Sequence, residues 1–160
     1  MVPYKAVFID LDGTLLNKQS IVSARNAATL KKLVDRDIRV VFATGRPIES
    51  VRNLVGKIHD KDPAITLSGS MIHASVYGAP MMAHTIPFDT FQQILAACEA
   101  MGTVDNILVD DADGFYVLKH SKEMEEFVGM FNAEPQLFTY DAIPTSPILS
   151  LMIHSKEHRA

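Results

Sequence analysis

The chain has 160 residues, 48% of them hydrophobic and 21% charged, with a formal net charge of −4 and one cysteine, Cys98. That composition supports a packed core of one ordinary domain or two small ones and argues against disorder. It excludes an internal disulfide framework, and without a basic cluster interleaved with aromatics nucleic acid is a poor partner. No apolar run approaches the roughly 20 residues of a membrane helix, and MVPYKAVFID lacks a signal-peptide layout. The expectation is a cytoplasmic protein with no membrane partner.

"KAVFID" is a short, nearly continuous apolar run, as in a strand buried on both faces. After a polar loop, Ser23 predicts a helix cap, followed by Ala27, Leu30, Leu33 and Val34 at helical spacing. "IRVVFATG" predicts a second buried strand. Pro47 suits a first helical position, before a stripe of Ile48, Val51, Leu54, Val55 and Ile58. "AITLSG" predicts a third strand. Strand–helix–strand–helix–strand order argues for a parallel sheet.

After Gly69 the texture changes. "MIHASVY" and "PMMAHTI" predict a hairpin around Gly78-Ala79. Phe88, Phe91, Ile94, Leu95, Cys98 and Met101 mark a helix that Gly102 ends. "NILVD", "DADG" and "FYVLK" predict a second hairpin. Ser121 caps a helix carrying Met124, Phe127, Val128 and Phe131, and "ILSLMI" is a last strand. The fold class is therefore α/β, a parallel Rossmann-like piece over 1–80 followed by an α+β piece over 81–160.

The candidate site lies in "FIDLDGTLL". Ligands of parallel α/β sheets bind at the carboxyl ends of the strands, where Asp10 stands. Asp12 follows two positions on and shares its side of the loop. Gly13 permits a tight turn with N–H groups aimed at one spot, and Thr14 adds a hydroxyl. Two neighbouring carboxylates repel unless a cation or proton compensates, and Mg²⁺, which takes oxygen ligands and works with phosphates, is the economical cofactor. "ATGR" puts Thr44, Gly45 and Arg46 at the same edge, where a phosphate would lie. Arg46 reads first as a surface or ion-pair residue, with phosphate contact the alternative.

D-L-D-G-T after one strand and T-G-R after the next resemble the haloacid dehalogenase-like superfamily of phosphatases. The order of the second half resembles its Cof-type subfamily, whose α/β cap is inserted after the third core strand. The resemblance implies Asp10 as nucleophile, Asp12 as general acid/base and Thr44 as phosphate anchor. It also implies a metal held by Asp10 and Asp12, the latter through its backbone carbonyl, and a small phosphorylated metabolite, such as a sugar phosphate, as substrate. The family's further Lys and its acidic G-D-x-x-N-D-like loop have no counterpart in these residues, and "SGS" at 68–70 stands where relatives have Asn before Gly. The expectation is therefore the amino-terminal part of such an enzyme: an incomplete core over 1–80, an incomplete cap over 81–160, weak metal affinity, low activity, and self-association through an uncovered first strand. The alternatives are a non-catalytic remnant that binds metal or anion weakly, and a phosphate-accepting receiver domain. The two-acid layout speaks against the receiver.

Other patterns read as structural. "DDADG" at 110–114 reads as a hairpin turn and not a calcium loop, and "HSKEH" from His154 is not a zinc motif. Met81 and Met82 read as filler, and Cys98 as an inert core residue.

Overall fold

The computed structural model describes residues 4–111, 114–131 and 133–155. The chain divides into two compact units, Met1–Ala83 and His84–Ala160.

The first unit holds a five-stranded sheet in the order β1 (Ala6–Ile9), β2 (Arg39–Ala43), β3 (Ala64–Thr66), β4 (Met71–His73), β5 (Pro80–Ala83). The first three strands are parallel and the last two antiparallel. Helices α1 (Ala24–Val34) and α2 (Ile48–Val55) form the two crossovers. Leu30 of α1 and Val51 and Val55 of α2 share one buried cluster with Val40, Phe42 and Ala64, so both helices cover the same face of the sheet. Ser23 caps α1, its hydroxyl accepting from the Asn26 N–H at 3.1 Å. On the opposite face Phe8, paired with Val41, is 65% exposed, and β1 is an edge strand.

Local differences from the expected elements have identifiable causes. Pro47 precedes α2 instead of opening it: its ψ of 161° is extended, and its carbonyl accepts from the N–H groups of Ser50 and Val51. The third strand stops at Thr66 because Leu67, Ser68 and Gly69 all take positive φ. The β4–β5 hairpin has shorter strands than "MIHASVY" and "PMMAHTI" suggest. Val76 leaves the ladder, is fully buried, and donates its N–H to the Asp60 carbonyl.

The second unit is a four-stranded sheet in the order β8 (Gln136–Leu137), β7 (Phe115–Val117), β6 (Val104–Asp111), β9 (Ile148–Ser155). Alternation along β6 divides the packing. Ile107 and Val109 meet Phe91, Leu95 and Cys98 of α3 (Phe88–Met101), while Leu108 meets Met124 and Val128 of α4 (Lys122–Gly129). Gly102 ends α3 with φ of 64°, a left-handed cap that suits glycine. Ser121 caps α4 through the Met124 N–H. Ala112 and Asp113 of the expected β6–β7 turn, and Lys156 to His158 of "HSKEH", lie outside the described residues. No helix among the described residues is long and apolar enough to cross a membrane.

Candidate active site

The parallel register sets the site. Ile9 pairs with Phe42, so Asp10 and Thr44 leave their strands one and two residues beyond the same rung, at the same edge. After Asp10 the chain makes one wide turn, with the Leu15 N–H donating to the Asp10 carbonyl and the Leu16 N–H to the Leu11 carbonyl. Leu11, Leu15 and Leu16 are buried and anchor this turn in the core, while Asp10, Asp12, Gly13 and Thr14 are exposed. Gly13 has φ of 73°, which supplies the reversal. The Thr14 hydroxyl donates to Asp10 Oδ2 at 3.1 Å and orients that carboxylate.

The loop after β2 is stapled to the end of β3. The Thr44 N–H donates to the Ile65 carbonyl, the Ser68 N–H to the Thr44 carbonyl, and the Leu67 N–H to the Arg46 carbonyl. Thr44 is buried, and its hydroxyl accepts from the Arg46 N–H at 3.2 Å. A Cβ on Gly45 would come within 3.3 Å of Ser68 Oγ, so this approach favours glycine.

Arg46 faces Asp12. Its Nε and Nη2 each donate to one Asp12 carboxylate oxygen at 2.7 Å, and its Nη1 donates to the Ser50 hydroxyl at 3.0 Å. The guanidinium is nearly buried while the Asp12 side chain is half-exposed. Arg46's hydrogen bonds, with its charge, hold Asp12 below the usual carboxylate range against an opposing effect of partial burial. The same pairing pushes Arg46 up. Ser50 and Ser68 were not singled out as site residues from the sequence. Ser50 had a local signal, since it lies four residues after Arg46 on the helix that follows.

The donors available to a cation are oxygens, which suits a hard divalent ion. The Asp10 carboxylate is exposed and held by one hydroxyl. The Asp12 carboxylate is turned to Arg46 through both oxygens, so its backbone carbonyl is the group that fits a metal. Among the described residues there is no group of three or more His, Cys, Asp or Glu that would complete a cation site.

The α/β fold agrees with comparisons to known proteins. The model of the haloacid dehalogenase-like hydrolase family matches residues 7–159. The chain is 45% identical over 74 residues to the 5-amino-6-(5-phospho-D-ribitylamino)uracil phosphatase YwtE of Bacillus subtilis (strain 168), covering 46% of this chain and 25% of that protein. It is 27% identical over 159 residues to YitU, a phosphatase of the same name from that organism, covering 97% of this chain and 57% of the relative. The structure of a haloacid dehalogenase-like hydrolase from B. subtilis shares the fold at a TM-score of 0.77 and 21% identity, over 95% of this chain and 62% of its own. The chain thus spans less than two thirds of these relatives' length. With the family matched from the first strand to the last, the chain belongs to the haloacid dehalogenase-like hydrolases.

Proposed function

We propose that this chain carries the nucleophile-bearing part of a Mg²⁺-dependent phosphatase of small phosphorylated metabolites. In this reading residues 1–80 are the amino-terminal part of the catalytic core and 81–160 part of its cap. The observation that carries it is the placement of Asp10 and Thr44 beyond one rung of two parallel strands, with Asp12 two residues from Asp10. The relatives' names support a small phosphorylated metabolite as the substrate class, and the resemblance to the family makes a sugar phosphate the first candidate. The setting is cytoplasmic, and β1 is a surface for self-association.

The chemistry follows from the residues. An Asp10 oxygen attacks phosphorus, a P–O bond forms, and the bond to the leaving oxygen breaks. Asp12 delivers a proton to that oxygen. Water then attacks the aspartyl-phosphate and gives its proton to Asp12, which frees Asp10 and releases inorganic phosphate. Thr44, Gly45 and the Gly13-Thr14 turn hold the phosphoryl oxygens, and Arg46 stands beside them on Asp12. Mg²⁺, when bound to the Asp10 carboxylate and the Asp12 carbonyl, neutralises charge on nucleophile and phosphate.

Incubation with p-nitrophenyl phosphate and Mg²⁺ tests this. The expected result is slow turnover that Asp10→Asn removes and chelation of the metal abolishes. Turnover unchanged in Asp10→Asn overturns the assignment of the nucleophile.

A further inference from the structure

His73 lies on β4, opposite Ala64 of β3, on the face that α2 covers. It is 3% exposed, and neither ring nitrogen has a hydrogen-bond partner. The Thr66 hydroxyl, on the same face of β3, is also buried and unpartnered, so it makes no hydrogen bond to the ring. Pro80, its neighbour on β5, carries no charge. A buried imidazole without partners is tolerated while neutral, but a proton there would be a buried charge.

We propose that His73 fastens β4 to β3 only while its ring is neutral, so that mild acid releases the β4–β5 hairpin from the strand that ends in the Leu67–Gly69 turn. The connection matters to the site because that turn donates the Ser68 N–H to Thr44 and the Leu67 N–H to Arg46. The hairpin is also the last element of the first unit before the chain passes to the second at Ala83–His84. Desolvation by burial is the main effect lowering the affinity of His73 for a proton. Among charged groups, Arg52 of α2 opposes protonation and Glu49 of α2 favours it. The Gly78 backbone also favours it, approaching the ring without completing a hydrogen bond.

The direction follows from linkage. The folded state holds His73 neutral, whereas the unfolded chain takes up a proton near the ordinary histidine value of about 6.5. Below that value the unfolded state binds more protons, so stability falls as pH falls until the folded ring itself titrates.

Amide hydrogen exchange of the 160-residue chain, corrected for intrinsic rates, tests the proposal between pH 7.5 and 5.5. Protection across the β3–β4 ladder, Ala64–Thr66 with Met71–His73, is expected to drop on acidification more than protection at Ile107 and Leu108 of the second sheet. His73→Leu and His73→Gln, neither of which titrates, should lose that excess drop. An equal drop in parent and variants overturns the proposal, as does unchanged protection in the parent. Should both variants fail to fold, the imidazole resonance of His73 in the parent decides: a midpoint at or above the ordinary histidine value overturns it.

Discussion

Arg46 holds both carboxylate oxygens of Asp12 at 2.7 Å, and Ser50 holds Arg46 from behind. A bidentate guanidinium fixes the plane of a carboxylate as well as its charge. The residue proposed to move a proton is therefore kept ionised at rest, and protonating it requires this pair to loosen. Arg46→Gln should raise the titration midpoint of Asp12, read by carbon-13 NMR of labelled aspartate. The pair's stabilising effect is fully present above the ordinary carboxylate range and is lost as pH falls through the lowered midpoint. The Asp12 side chain is half-exposed, so solvent keeps the effect small. Urea midpoints of parent and variant should converge in acid, and a gap that persists there would assign the effect to packing.

The close approach of Gly45 to Ser68 gives a second test. A methyl at 45 meets the Ser68 hydroxyl at 3.3 Å, and the Ser68 backbone is fixed by its N–H bond to Thr44, so only rotation of the hydroxyl can relieve the contact. Gly45→Ala should cost on the order of 1 kcal/mol. Adding Ser68→Ala removes the obstacle and should restore much of the loss. A strictly additive double mutant in denaturant unfolding would show that the two residues do not press on each other.

Gly56, just after α2, is confined more severely. A Cβ there would sit 2.6 Å from the Arg52 carbonyl and 2.5 Å from the Tyr77 hydroxyl. The ring of Tyr77 is exposed and can turn away, but the carbonyl belongs to the helix backbone. Gly56→Ala should destabilise the first unit by about 1–3 kcal/mol, measured by thermal or urea unfolding. A neutral substitution would show that the end of α2 shifts easily.

The edge position of β1 bears on solution behaviour. An exposed edge strand carrying an exposed aromatic is a template for pairing with another chain. The 160-residue chain is expected to self-associate, and Phe8→Glu, which places charge on that face, should favour the monomer. Light scattering checks both, and a stable parent monomer of 17.7 kDa would refute the expectation.

Much of the fold was legible because burial writes itself into the sequence. "KAVFID" and "IRVVFATG" are mostly apolar and are the paired β1 and β2, but β1 is not buried on both faces as expected: it is an edge strand, half-buried, with Phe8 exposed. Ser23, Ser121 and Gly102 mark helix ends through their own backbone chemistry. What escaped depends on long-range partners. The two-residue β8 exists only as an addition to β7 and has no periodicity of its own. Val76 looks like a strand residue but is pulled inward and bonded to Asp60. At the site, "DLDGT" and "TGR" announced acids and a loop at one edge. That Arg46 would grip Asp12, 34 positions away, is a matter of side-chain reach that no local pattern records.

Leu67 and Ser68 adopt left-handed backbone, at φ of 49° and 55°, without being glycines. Such geometry is unfavourable by about 1–2 kcal/mol per residue. It persists here under the two hydrogen bonds that run to Thr44 and Arg46. The reversal that turns the sheet from parallel to antiparallel and the loop that shapes the site are therefore one cooperative unit. Opening one is expected to loosen the other: freeing the TGR loop breaks the two hydrogen bonds that hold Leu67 and Ser68, and re-forming it means bending them back. This corner of the molecule should close in a single concerted step, and changes that ease the bend will act on the site without touching it.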